Sequence, residues 1–163
     1  MKLRRRRSIR AIFASTYVIM FIAYIIIGLQ PAEATNYDVS AKLLIPSIGL
    51  SSDVTTVTLI GNKLETPDTI VGSYSAADNK TLLFGHSSTV FHNLDDIKIG
   101  DLISYDNNEY RIVKARLALK ESIEMEEIMA GTERDTIVIM TCAGEDLGGG
   151  DATHRLIIYA EAE

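Results

Sequence analysis

Hydrophobic and polar positions along the chain predict a series of short strands, of which the run at 135–142 (DTIVIMTC) is the clearest. Residues 137–140 are apolar without a gap, which is typical of a strand buried on both faces. The following residues (AGEDLGGGDATH) are rich in Gly and Asp, so we expect the strand to end in an exposed loop. Cys142, the only cysteine of the chain, would then lie where the core meets solvent.

Shorter apolar runs bounded by turn residues predict further strands. They lie at 41–50 with an interruption at Pro46, and at 54–60, 81–84, 102–105, 110–119 and 155–160. The pair Asn107-Asn108 predicts a hairpin turn, and capping and stop residues predict short helices at 66–72 and 122–130. About seven or eight short strands with a few short helices favour a mainly β domain, built as a closed barrel.

The N-terminus predicts a membrane anchor. Residues 11–29 carry no charge, and as a helix they would be about 28 Å long, close to the thickness of about 30 Å of a bilayer core. Six basic residues precede this run, so the positive-inside bias places the N-terminus in the cytoplasm and the rest of the chain outside. A cleaved signal peptide is the alternative, because Ala32-Glu33-Ala34 is a small-x-small site. We therefore expect a basic tail and anchor at 1–30, a linker at 31–38 and one folded domain at 39–163.

The net charge of the folded domain indicates which classes of binding partner it does not suit. The first 30 residues hold six of the 16 basic residues and none of the 22 acidic ones, which leaves a net charge of −12 on the remainder. An acidic surface argues against nucleic acid or anionic lipid as the partner of the folded domain.

Three strand ends carry side chains with complementary chemistry. His86 follows the predicted strand at 81–84, Cys142 ends the strand at 135–142, and Arg155 begins the last strand. An imidazole can take the proton of a thiol or hold its thiolate as an ion pair, and a guanidinium can hold the oxyanion that forms when sulfur attacks a carbonyl. One cysteine in an exported domain cannot close an internal disulfide, so Cys142 is buried and inert, paired between chains, or functional.

Four stretches of the chain resemble the sortase family, and together they cover about residues 40–163. GHSSTVFHNLDDIKIGDLISY resembles the segment around the family's catalytic histidine, and IVIMTC resembles its strand ending in Thr-Cys. HRLIIYA is similar to its final strand, which opens with the catalytic arginine, and IPSIGL is similar to its first strand. The resemblance implies a sortase-like barrel in which His86 is the general acid/base, Cys142 the nucleophile and Arg155 the transition-state stabiliser. By the same resemblance Thr141 contacts the substrate or helps to shape the oxyanion site.

The resemblance also implies a function. Sortases are cysteine transpeptidases that cleave a C-terminal sorting signal resembling Leu-Pro-any-Thr-Gly (LPXTG) between Thr and Gly and hold the acyl part as a thioester. They then transfer it to an amine of the cell wall or of a pilin. The expected partners are therefore surface proteins with such a signal, an amine acceptor, and the membrane through residues 11–29. No cofactor is expected.

Other interpretations start from the same residues. Some sortases bind calcium, and the five acidic candidates here lack the dense spacing of a calcium loop: Asp95, Asp96, Glu124, Glu126 and Glu127. A zinc site from His86, His92, His154 and Cys142 has no close ligand pair. A papain-like peptidase would place its cysteine ahead of its histidine and at a helix start, which is the reverse of the order here. The non-enzymatic alternative is an exported β domain for binding or scaffolding, with Cys142 as core filler.

Overall fold

Eight strands form a closed barrel in the part of the chain that the computed structural model describes, residues 36–61 and 63–163. Their bounds are β1 Val39–Ile45, β2 Leu50–Thr56, β3 Val71–Ala77, β4 Lys80–Phe84, β5 Leu102–Tyr105, β6 Asn108–Leu119, β7 Thr136–Gly148 and β8 Asp151–Ala162. The order around the barrel is β1-β2-β3-β4-β7-β8-β6-β5, and β5 pairs with β1 to close it. The pairs β2–β3 and β4–β7 are parallel, and the others are antiparallel. The mainly β closed barrel predicted from the sequence is confirmed.

Short helical segments connect the strands. One α-helix, α1 (Met125–Met129), lies between β6 and β7, and 3₁₀ turns cover Pro46–Ile48, Leu94–Asp96 and Lys120–Ser122. The predicted interruption at Pro46 is confirmed, since β1 ends at Ile45 and β2 begins at Leu50. The predicted hairpin is also present, with its turn one residue earlier. Asp106 and Asn107 both have positive φ, as a two-residue type I′ hairpin requires.

The barrel is filled by apolar side chains from all eight strands. One buried residue from each illustrates the interior: Leu43, Val54, Val71, Leu83, Ile103, Ile112, Ile139 and Ile158. Phe91 and Leu94, from the connection between β4 and β5, join the same cluster. Burying a side chain of this size contributes about 1.5–3 kcal/mol, so this cluster is the main source of the barrel's stability.

Strand β7 is buried on both faces, as its continuous apolar run predicted. Ile137 and Ile139 belong to the interior cluster, whereas Val138 belongs to a second buried cluster outside the barrel wall. Ile157 of β8 and Ile128 of α1 pack in that outer cluster. The short helix therefore covers the outer face of the central strands, which holds β7 rigidly in place.

Three sequence predictions about elements are wrong. The helix predicted at 66–72 is absent, and β3 begins at Val71 and runs through Gly72 instead. Gly72 was interpreted as a helix stop, but a Cβ there would lie 2.7 Å from Cε2 of Phe84, so glycine allows β3 to pack against an aromatic ring. The strand predicted at 54–60 lies earlier, at Leu50–Thr56.

The third error concerns the Gly-rich segment after Cys142. Strand β7 does not end at Cys142 but continues to Gly148, and β8 begins at Asp151 rather than at Arg155. Gly144, Gly148, Gly149 and Gly150 all have positive φ, and the register shifts twice between Ala143 and Gly148. The glycines therefore build a twisted hairpin and not a loop without strands, although residues 144–150 are exposed as expected.

The predicted anchor at 11–29 and residues 31–35 of the predicted linker at 31–38 lie outside the described residues. Within the residues that are described, no helix is both long and apolar enough to span a bilayer.

Candidate active site

The strand register brings His86, Cys142 and Arg155 to one end of the barrel. Strands β4 and β7 are parallel neighbours with Phe84 opposite Met140, so two more residues in the same register place His86 beside Cys142. Strands β7 and β8 are antiparallel neighbours, and Cys142 lies directly opposite Arg155. Pairing of neighbouring strands therefore brings the three residues predicted from the sequence together, and all three line one cleft of about 460 Å³.

The position of His86 depends on the glycine before it. A Cβ at Gly85 would lie 2.5 Å from Cγ1 of Val90 and 3.1 Å from the ring of Phe91, so a larger residue would push the turn away from the core. The carbonyl of His86 accepts hydrogen bonds from the backbone N–H groups of Thr89 and Phe91. The chain thus leaves β4 in a tight turn that faces the imidazole toward the cleft.

Thr141 joins β7 to the end of β4. Its side chain is buried, and its hydroxyl donates a 2.8 Å hydrogen bond to the carbonyl of Gly85. This bond fixes the residue before His86 to the residue before Cys142. Thr141 also lines the cleft, but its hydroxyl hydrogen is directed to the backbone.

Cys142 is half-buried, with its sulfur 3.6 Å from the carbonyl oxygen of Gly150. In the described part of the chain, that carbonyl and not the imidazole of His86 is the hydrogen-bond acceptor for the thiol. A Cβ at Gly150 would lie 4.0 Å from Cε1 of His86, so the tip of the β7–β8 hairpin lies next to both side chains. The thiol is thus accessible at the cleft, and its one hydrogen bond among the described residues is weak.

Arg155 is largely enclosed, with 16% of its side chain exposed. Its Nη1 donates to the carbonyls of Ala152 and His154 at 2.9 Å each, and its Nη2 donates to Oδ1 of Asp151 at 2.7 Å. Lys120 binds the other carboxylate oxygen of Asp151. Hydrogen bonds from these two cations, of which that from Lys120 has the larger effect, hold the pKa of Asp151 well below its usual range.

Sequence reasoning missed Asp151 and Lys120, which also line the cleft. Asp151 was assigned to a loop, so its position four residues before Arg155 carried no meaning. Once the glycine turn is understood as a hairpin, an acidic residue at the first position of β8 becomes a natural partner for the arginine on the same strand.

A second cleft, of about 440 Å³, also reaches Cys142. Its walls are largely apolar and include Phe91, Leu94, Leu117 and Leu156. Cys142 therefore faces both a cleft lined by the charged and polar groups around Arg155 and a cleft lined largely by apolar side chains.

The other histidines have local partners. Nδ1 of His92 lies 2.9 Å from the carbonyl of Thr89, and Nδ1 of His154 lies 2.8 Å from the hydroxyl of Thr153. Neither of them lines the cleft that holds Arg155. Within residues 36–61 and 63–163, no three His, Cys, Asp or Glu side chains are grouped so as to hold a metal ion.

Comparison with known structures identifies the same barrel elsewhere. A lid mutant of sortase A from Corynebacterium diphtheriae is 22% identical, with a TM-score of 0.63, 80% of this chain covered and 73% of that one. Sortase C-1 from Actinomyces oris is 22% identical with a TM-score of 0.58, and the match covers 77% of this chain and 72% of that one. A sortase D5 transpeptidase from Clostridium perfringens is 18% identical with a TM-score of 0.59, covering 77% and 79%.

These structures share the fold at low sequence identity. A search of curated proteins returned no match. The sequence model of the sortase domain matches residues 43–163, which is most of the chain and spans all three candidate catalytic residues. The chain belongs to the sortase family.

Proposed function

We propose that this protein is a cysteine transpeptidase that acts on a C-terminal sorting signal resembling Leu-Pro-any-Thr-Gly, with Cys142 as nucleophile. The observation that carries the proposal is the meeting of His86, Cys142 and Arg155 in one cleft, on three adjacent segments of the barrel wall. Such a constellation supplies a nucleophile, a proton carrier and a fixed cation within one site.

The first half-reaction forms a thioester. The thiolate of Cys142 attacks the carbonyl carbon of the Thr–Gly bond, and the negative charge moves to the carbonyl oxygen, which the guanidinium of Arg155 stabilises. The C–N bond then breaks, and the imidazolium of His86 gives its proton to the departing glycine amine. The enzyme retains the acyl part on sulfur.

The second half-reaction restores the enzyme. An amine loses a proton to His86 as it attacks the thioester carbonyl, the C–S bond breaks, and Cys142 leaves as thiolate. One amide bond is broken and one is formed, so no cofactor or external energy source is required. The acceptor amine belongs to the cell wall or to a pilin in this proposal, and the sequence resemblance is the support for both.

Residues 11–29 are proposed to anchor the protein as a single membrane span, with the N-terminus in the cytoplasm and the domain outside the cell. The apolar run and the six preceding basic residues support this arrangement. Cell fractionation tests the anchor: the variant lacking residues 11–29 should move to the soluble fraction, whereas the undeleted protein should stay with the membrane. Release of the undeleted protein would contradict it.

The function is tested with full-length protein in detergent, a fluorogenic sorting-signal peptide and a set of amines. We expect cleavage after Thr and formation of the peptide–amine product by the wild type. Cys142→Ala should abolish both, while Arg155→Ala should lower the turnover number about 100- to 1000-fold, as loss of an oxyanion donor does. Cleavage by Cys142→Ala would sink the proposal.

The same assay separates the enzyme from a scaffold. For a non-catalytic β domain, Cys142 is core filler, so Cys142→Ala changes stability, Arg155→Ala is silent, and the wild type has no turnover. The half-exposed position of Cys142 at a cleft favours the enzyme.

A further inference from the structure

The guanidinium of Arg155 is held by three hydrogen bonds that leave two of its donors free. Both Nη1 hydrogens go to backbone carbonyls, of Ala152 and His154, and one Nη2 hydrogen goes to Oδ1 of Asp151. A guanidinium carries five N–H groups, so the Nε–H and the second Nη2–H remain without a partner among the described residues. These two groups are the ones that a substrate oxygen in the cleft can use.

Asp151 is itself fixed from three directions. Its Oδ1 accepts the Arg155 bond and a 2.9 Å bond from the backbone N–H of Ala152. Its Oδ2 accepts from Lys120, the first residue of the 3₁₀ turn that follows β6. One carboxylate thus links the start of β8, the arginine and the β6–β7 connection.

The direction of the free donors depends on Asp151. The two backbone carbonyls both bind Nη1, so on their own they hold one corner of the guanidinium. Asp151 binds Nη2 and supplies the second fixed point. With both corners held, the plane of the group and the direction of its remaining N–H groups are set before a substrate arrives, which is the condition for strong electrostatic stabilisation.

We propose that Asp151 is a positioning residue that, with Lys120 behind it, orients Arg155 toward the reacting carbonyl. This inference rests on the proposed transpeptidase function and goes further, because it adds a residue that acts through the arginine. Asp151 remains ionised under ordinary assay conditions, because its two cationic partners hold its pKa low.

The direct test is Asp151→Asn in full-length protein, with active protein quantified by a thiol-reactive label on Cys142. The amide keeps the shape of the side chain but removes the charge that binds Nη2 and Lys120. We expect the turnover number per labelled site to fall about ten- to 100-fold, as small misplacements of a catalytic group do. The Michaelis constant should change by less than about threefold, because the loss concerns the transition state.

Two further variants keep the interpretation specific. Asp151→Glu retains the charge on a longer stem and should recover part of the lost turnover. Glu163→Gln is the matched control, because Glu163 forms a two-bond ion pair with Arg111, at the far end of β8 from Arg155. We expect it to leave turnover unchanged.

A double-mutant cycle with Arg155→Ala decides whether Asp151 acts through the arginine. In the Arg155→Ala background, Asp151→Asn should have little further effect. An equal loss in both backgrounds, or no loss in the wild-type background, overturns the positioning role while leaving the transpeptidase intact. Absence of turnover in the wild-type protein would instead overturn the proposed function, and the positioning role with it.

Discussion

A single threonine hydroxyl connects two of the three chain segments that form the site. Thr141 is buried and donates to the carbonyl of Gly85, and this bond lies between the residues that precede His86 and Cys142. The sequence showed a Thr-Cys pair at the end of an apolar strand. It did not show which way the hydroxyl points, because that depends on the neighbour of β7, and β4 lies more than 50 residues away in the chain.

Thr141→Val tests this connection, since it keeps the shape of the side chain and removes the donor. The buried carbonyl of Gly85 would lose its partner, at a cost of about 1–3 kcal/mol in the free energy of unfolding. Urea denaturation measures the loss. Thr56→Val is a control, because its hydroxyl bonds to Ser40 on the exposed surface, and its effect should lie within about 0.5 kcal/mol. Equal losses in the two variants would contradict the role of Thr141.

A buried tyrosine couples stability to alkaline pH. Tyr110 is 4% exposed and donates a 3.0 Å hydrogen bond to Asp135, and burial, then this hydrogen bond, raise its pKa from 10.0 to about 12. The folded protein therefore binds this proton more tightly than the unfolded chain does. Its contribution to stability is present below pH 10 and is lost as the pH rises toward 12.

Absorbance titration of tyrosinate, paired with denaturation across the same pH range, measures this coupling. The wild type should show a late tyrosine ionisation near pH 12 that Tyr110→Phe lacks. The free energy of unfolding of Tyr110→Phe should depend less on pH over this range. An unchanged late ionisation in the variant would show that another tyrosine is responsible.

Among the elements, β3 shows why the local sequence pattern was insufficient to predict every strand. Its sequence, VGSYSAA, combines a glycine, two serines and two alanines, which gives little strand signal. Its strand conformation comes from its neighbours, since it pairs with β2 in parallel and with β4 in antiparallel orientation. The Thr-Pro-Asp pattern before it satisfied the local rules for a helix start, and tertiary pairing overrode them.

Gly72→Ala tests the packing of β3. The added methyl group would come within 2.8 Å of two ring carbons of Phe84, so the ring or the strand has to move. Overpacking of this kind costs about 1–3 kcal/mol in unfolding free energy. Gly131→Ala is the matched control, because its nearest contact would be an ordinary 3.4 Å and its φ is not positive. Calorimetric melting should therefore shift for the first variant and hardly for the second.

The strands around the site were easier to predict than their extent. Continuous apolar residues identified β4, β7 and β8, because these strands are buried on both faces and need no alternation. The hairpin beyond Cys142 was missed, because Gly and Asp favour loops in isolation, whereas positive φ at several glycines lets the two strands twist together. Asp151 was missed with it.

At the scale of the whole molecule, the order of strands in the barrel brings the three candidate catalytic residues together. The order β4-β7-β8 in the wall makes neighbours of β4 and β7, which lie far apart in the chain, and of β7 and β8, which form a hairpin. The sequence supplied the three reactive residue types, and the resemblance supplied their proposed roles. The register supplied the remaining information, with Cys142 opposite Arg155 and His86 two residues beyond the last β4 pair.

The acidic domain and the two clefts at Cys142 suit a two-substrate reaction. A net charge of −12 beyond the first 30 residues favours approach of a cationic amine, which is the class of acceptor that the proposed reaction requires. Cys142 lines both the cleft of Arg155 and the apolar cleft, which would give the two substrates of the proposed reaction separate routes to the sulfur.

The proposed thioester mechanism is tested most directly by intact-protein mass spectrometry of the full-length protein mixed with a sorting-signal peptide and no amine. We predict an added mass equal to that of the peptide fragment ending in Thr less one water, mapped to Cys142 and removed on addition of an amine as the transfer product appears. An adduct on any other residue, or peptide cleavage by Cys142→Ala, would contradict a mechanism centred on this cysteine.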